Sequence, residues 1–135
     1  MKEYLIKGIE KIGLEYDEKR VSELLKYLDM LVEYNSHTNL TAVREKDEII
    51  DKHFLDSLLV QKYITKNMKK AIDIGTGAGF PGMVLAIYNK DIKFTLMDSV
   101  GKKTKFLELV KEELGLTNVE VVNCRAEEFA DDDDV

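Results

Sequence analysis

Apolar residues recur at helical spacing through the first half of the chain and collapse into short runs between glycines and polar turns in the second half. Leu5, Ile6, Ile9 and Ile12 fall on one face of a short amphipathic helix. Val21, Leu24, Leu25, Leu28, Leu31 and Val32 mark a longer one, with Asp17 placed to cap its N-terminus. The stretch Asn35-Ser-His-Thr-Asn-Leu-Thr41 predicts a polar loop, because its side chains compete for local backbone hydrogen bonds. Helical spacing returns at Ile49, Ile50, Phe54, Leu55, Leu58 and Leu59. These stripes read as core rather than as a ligand-binding face.

From Ala71 the pattern becomes strand, helix, strand, helix, strand. The strands are predicted over Ala71 to Ile74, Phe94 to Met97 and Val119 to Val122; a helix carrying Phe106, Leu107, Val110 and Leu114 stops at Gly115. Two right-handed crossovers would set the strands in parallel, with Asp73, Asp98 and the segment Asn123 to Glu127 at their carboxyl ends. That end is where open α/β sheets bind ligands. The expected organisation is a helical region over residues 1–65 and a Rossmann-like α/β portion over residues 66–135.

The first strand runs directly into Asp73-Ile-Gly-Thr-Gly-Ala-Gly-Phe-Pro-Gly82. Gly75, Gly77 and Gly79 allow a sharp turn and close approach of backbone to a ligand, and Pro81 suits the first turn of the helix that follows. Two cofactors compete for this signature. Gly77-Ala-Gly79-Phe-Pro-Gly82 satisfies the dinucleotide pattern, but Pro81 deletes one N–H of the pyrophosphate cradle. Asp98 also lies closer to the last glycine than the roughly 20 residues of the usual fingerprint. S-adenosylmethionine meets neither difficulty, since it carries no phosphate. Asp73 can position its ammonium group, and Asp98 can accept hydrogen bonds from its ribose hydroxyls. The plainer alternative makes both acids caps or ion-pair partners at a sheet edge. An NAD-dependent oxidoreductase is disfavoured by Pro81 and by the spacing to Asp98.

Composition narrows the picture further. The 135 residues are 44% hydrophobic, enough for the core of one domain. A net charge of −6 gives no general attraction to nucleic acid, so any RNA contact depends on local basic groups. Lys102, Lys103 and Lys105 follow Asp98 closely and Arg125 lies at the same sheet edge, while Lys66, Lys69 and Lys70 form a second cluster. A single cysteine, Cys124, excludes an internal disulfide and suits a reducing compartment. No apolar run has the length of a membrane span or a signal-peptide core, so the cytoplasm is expected and a membrane partner is not. No metal site is expected. Asp131 to Asp134 reads as a solvated tail or linker.

With these elements placed, the chain resembles the small-subunit ribosomal RNA methyltransferase G family, also called the glucose-inhibited division protein B family. The resemblance rests on Asn39-Leu-Thr-Ala-Val-Arg44, Lys52-His-Phe-Leu-Asp-Ser57, Asp73 to Gly82, Thr95-Leu-Met-Asp-Ser-Val-Gly-Lys-Lys103 and Arg125-Ala-Glu-Glu-Phe129. It implies a class I S-adenosylmethionine-dependent methyltransferase acting on N7 of a guanosine in small-subunit (16S) ribosomal RNA, free or in a ribosomal particle. By that resemblance Gly75 and Phe80 contact the cofactor, Ala126 and Glu127 lie beside its adenine, and Asp98 takes the ribose. Gly77 and Gly79 are added from geometry alone.

The resemblance also implies further strands and an arginine-bearing segment beyond the third strand. The chain is therefore expected to be an N-terminal portion truncated after that strand, with little activity alone and a tendency to self-associate through the exposed first strand. A module that binds cofactor or RNA without turnover is the alternative. Guanine N7 carries an exposed lone pair, so no general base and no catalytic residue is named. His53 is expected to make a structural hydrogen bond with Asp56 or to contact RNA, and Cys124 to pack.

Overall fold

The computed structural model describes residues 1–130, and the acidic run at Asp131 to Asp134 lies outside them. Helices α1 (Lys2–Lys11) and α2 (Glu18–Thr38) come first. Asp17 caps α2 as its sequence position predicts, its side chain accepting a 2.7 Å hydrogen bond from the Arg20 N–H. The helix runs past the expected break at Asn35 and ends at Thr38, with Asn39 in the left-handed region at φ 45°. Asn35 is buried, and its side chain folds inward to accept from the Leu40 and Thr41 N–H groups and donate to the Thr41 carbonyl. A residue that usually interrupts helices here ties the following loop to the helix end.

The third apolar stripe is not one uniform helix. It passes from α3 (Lys46–Ile49) through a π-helical segment, Ile50–Leu55, into α4 (Asp56–Leu58) and a 3₁₀ turn, Leu59–Tyr63. Ile50, Phe54 and Leu58 are buried at spacings of four, a repeat that the wider π turn accommodates without turning them out of the core.

Strands β1 (Lys70–Ile74), β2 (Lys93–Asp98) and β3 (Val119–Asn123) form a parallel sheet in the order β1-β2-β3. They are joined through α5 (Gly82–Tyr88) and α6 (Gly101–Leu114), and α7 (Ala126–Ala130) follows β3. Gly115 ends α6 in the left-handed conformation at φ 65°, as its position predicts. Register pairs Ala71 with Phe94 and Phe94 with Val119, so these side chains share one face. That face packs against α5 and α6, and α2 packs on those two helices in turn. One continuous core holds Leu5, Leu24, Tyr27, Phe54, Ile87, Leu96 and Phe106. The opposite face is bare at β1, where Ile72 and Ile74 are 50% and 57% exposed. Among the described residues β1 pairs only with β2, and no helix is long and apolar enough to cross a membrane.

Candidate functional site

The carboxyl ends of the three strands converge on a cavity of about 380 Å³. Gly75, Asp98, Ala126 and Glu127, four of the residues expected to bind cofactor, line it together with Arg125. Ile74, Met97, Ser99 and Cys124 line it as well and were not singled out as ligands by sequence; each is the neighbour of a strand-end residue that was. The Cys124 thiol lies 3.1 Å from the Met97 sulfur, consistent with packing.

Asp98 sits at the centre of the arrangement. It is buried, and its two carboxylate oxygens accept 2.9 Å bonds from the Gly77 and Val100 N–H groups. A carboxylate offers about four lone-pair directions, so each oxygen keeps one for a ligand hydroxyl.

The turn itself is tightly bonded. The Gly75 and Thr76 N–H groups donate to the Met97 carbonyl at 2.8 and 3.0 Å, and those of Gly79 and Phe80 both donate to the Thr76 carbonyl at 3.0 Å. With Gly77 committed to Asp98, the turn presents no row of free donors of the kind that holds a pyrophosphate. What it does present is open backbone: a β-carbon at Gly75 or Gly77 would have no neighbour within 4 Å. The site therefore offers a buried carboxylate beside open backbone, without the anion nest that a pyrophosphate takes.

Asp73, Gly77, Gly79 and Phe80 stand outside the cavity lining. Asp73 faces into the protein, its Oδ2 accepting from the Thr76 hydroxyl at 2.6 Å and the Gly82 N–H at 2.8 Å. Burial raises its carboxyl above the ordinary value, against those two hydrogen bonds, which lower it. Gly79 has φ 112°, and a β-carbon there would strike the Tyr27 hydroxyl, so this glycine serves contact with α2. Phe80 lies in an aromatic series, its ring centroid 5.7 Å from Tyr27 and 4.5 Å from His53, at 17° and 12° between planes.

His53 does not bond Asp56 as its spacing suggested. Its Nε2 lies 3.0 Å from the Thr41 hydroxyl, and burial lowers its pKa below the usual imidazole value. The basic residues divide: Arg125 lines the cavity, Lys102 and Lys105 line a groove between α6 and β3 with Val121 and Asn123, and Lys103 lines neither. None of the four forms an ion pair among the described residues.

Residues 20–135 match the family model for rRNA small subunit methyltransferase G. The ribosomal RNA small subunit methyltransferase G of Fusobacterium nucleatum is 64% identical over 132 residues, which cover 98% of this chain and 57% of that protein. The protein of the same name from Ectopseudomonas mendocina is 45% identical over 127 residues, 94% of this chain and 59% of its own length. A third, from Alkaliphilus metalliredigens, is 47% identical over 122 residues, 90% of this chain and 51% of its own. The chain thus spans little more than half the length of these relatives.

Proposed function

Since the chain belongs to the rRNA small subunit methyltransferase G family, we propose that it binds S-adenosylmethionine across the carboxyl ends of β1, β2 and β3 and serves methyl transfer to N7 of a guanosine in 16S ribosomal RNA. The observation that carries this reading is the engagement of the N–H groups of Gly75, Thr76, Gly77, Gly79 and Phe80 within the protein, which removes a pyrophosphate cradle and leaves the open glycine backbone beside Asp98. S-adenosylmethionine, when bound, supplies an electrophilic methyl group on a sulfonium.

Asp98 would accept from the ribose hydroxyls, the glycine backbone would allow close approach at Gly75, and Ala126 and Glu127 would flank the adenine. Asp73 and Phe80 would support the cofactor by holding the turn's shape, Asp73 through Thr76 and Gly82. Guanine N7 attacks with a lone pair it already has, so no residue needs to remove a proton. The protein's contribution is alignment and exclusion of water.

RNA would be met by Lys102, Lys103, Lys105 and Arg125. Lys102 and Lys103 occupy the first turn of α6, which carries no acid, at the end where a helix dipole disfavours cations, and Lys105 follows in the next turn. Their placement therefore works against helix stability and suits an adjacent phosphate backbone. The test is transfer of tritiated methyl from S-adenosylmethionine to small-subunit ribosomal RNA, with N7-methylguanosine as the expected product and label in any other nucleoside as the contrary result.

The bare face at Ile72 and Ile74 supports a second reading, a module that binds cofactor or RNA without turnover and self-associates through that face and the open edge of β1. Light scattering beside the methyl assay decides between the two. A monomer turning over at about 1 per second, an ordinary enzyme rate, contradicts the module.

A further inference from the structure

A concentration of positive charge lies at the amino ends of the strands, at the opposite end of the sheet from the cofactor cavity. A groove of about 710 Å³ opens there, walled by Arg20 of α2, by Lys66 and Lys69 of the segment entering β1, and by Tyr88 and Lys90 at the end of α5. Lys70 and Lys93 begin β1 and β2 and are register partners, so their side chains leave the same face of the sheet side by side. The Lys93 N–H donates to the Lys69 carbonyl at 3.0 Å, which ties this pair to the groove wall.

The protein leaves most of this charge unneutralised. Arg20 is held in place, donating to the Tyr88 carbonyl at 3.0 Å with its guanidinium over the Tyr88 ring, and Lys90 pairs with Glu23 at 2.8 Å. Lys66, Lys69, Lys70 and Lys93 are exposed and form no ion pair among the described residues. Asp91 is the only acid among the described residues that line the groove. Like charges side by side on paired strands cost stability. Guarding a sheet edge accounts for a lysine on β1 but not for one on β2, the middle strand. Acids to pair with are not scarce, since the chain has 26 of them against 20 lysines and arginines. Folding gives no reason for the cluster, and an anion from outside does.

We propose that this basic face is a docking surface for the phosphate backbone of the RNA substrate, with Lys66 and Lys69 meeting phosphates at the groove and Lys70 and Lys93 extending the contact along the start of the sheet. In a chain of net charge −6, four unpaired ammonium groups in one place make a local field that attracts a polyanion. Lysine meets phosphate as a point charge and reads no base, so the surface sets affinity and orientation and leaves the choice of guanosine to the other end of the sheet. At about 3.3 Å per residue, the five residues of β1 put this face roughly 15 Å from the cofactor cavity, an offset smaller than a folded RNA. The inference rests on the methyltransferase reading for its choice of polyanion, and it adds a contact surface remote from the lysines of α6.

The probe is small-subunit ribosomal RNA, its binding to the full chain measured by filter retention over a series of salt concentrations. Each phosphate contact contributes about 0.7–0.9 to the slope of log affinity against log salt, so Lys66→Gln combined with Lys69→Gln should reduce the slope by about 1.4–1.8 and weaken binding at low salt. Lys7→Gln combined with Lys11→Gln removes the same charge from exposed positions of α1 that form no ion pair among the described residues, and should leave the slope as in the parent. An unchanged slope in the Lys66 and Lys69 variant, an equal reduction in the α1 variant, or no RNA binding by the parent overturns the proposal. So does a loss in that variant of binding to phosphatidylglycerol vesicles with RNA binding intact, which would mark a membrane surface instead. S-adenosylhomocysteine, titrated by calorimetry, reports on the cofactor cavity alone. It should bind the parent and both variants alike; its failure to bind the parent would sink the cofactor reading while a local change in salt slope would still stand.

Discussion

The Tyr27 hydroxyl donates a hydrogen bond to the Ala78 carbonyl at 2.5 Å and so joins the middle of α2 to the centre of the glycine turn. Tyr27 is fully buried, stacked on Phe54 at 5.2 Å and Phe80 at 5.7 Å, and burial with the nearby Asp73 charge raises its pKa so that it remains a donor. The helical layer therefore sets the conformation of the turn. Tyr27→Phe keeps the ring and removes the bond, and is expected to cost about 0.5–1.5 kcal/mol of stability in urea melts. It should also weaken S-adenosylmethionine binding measured by calorimetry; unchanged affinity would show that the turn holds its shape without α2.

Gly79→Ala should destabilise by about 1–3 kcal/mol, because it forces a side chain into a positive-φ conformation and against the Tyr27 hydroxyl. Residues in contact couple, so Tyr27→Phe should recover part of that loss. A double mutant whose cost equals the sum of the single costs would show that Gly79 answers to backbone strain alone.

Asp73 makes a pH prediction. Its folded-state carboxyl is raised above its unfolded value, so the folded protein holds that proton more tightly and stability is lost as pH rises between the two values. Lowering the pH through that interval should therefore stabilise the parent relative to Asp73→Asn, which cannot titrate. Urea midpoints of both proteins across the acid range give the comparison, and the opposite slope would mean that the Thr76 and Gly82 hydrogen bonds outweigh burial.

Methyl transfer to N7 should survive Cys124→Ala and His53→Gln in its chemical step. Single-turnover assays at saturating cofactor and RNA measure that step directly. A fall of about 10²-fold or more is the size expected for loss of a general base and would require a different mechanism.

Much of this was legible in the sequence because the informative residues have narrow physical uses. Glycines after an apolar run, Asp73 and Asp98 at strand ends, and Gly115 after a helical stripe each fix a backbone event within a residue or two, and the three strands fall where the runs predicted. What was hidden depends on which way a side chain faces. Asn35 has the composition of a loop residue but points inward and lets α2 continue to Thr38. The apolar spacing of Ile50, Phe54 and Leu58 is compatible with either an α or a π turn. Gly79 looks like another ligand-facing glycine until Tyr27 is placed against it, and that contact joins residues far apart in the chain.

The central claim is that the strand ends bind S-adenosylmethionine, and competitive calorimetry tests it most directly, with S-adenosylmethionine and NAD titrated into the parent and into Asp98→Ala. Asp98 holds the Gly77 and Val100 N–H groups and keeps lone pairs for the ribose, so its loss should cost about 1–3 kcal/mol of cofactor affinity. The account predicts S-adenosylmethionine binding in the parent, a loss of that size in the mutant, and weaker NAD binding than either. Tighter binding of NAD than of S-adenosylmethionine by the parent, or unchanged affinity in Asp98→Ala, would contradict it.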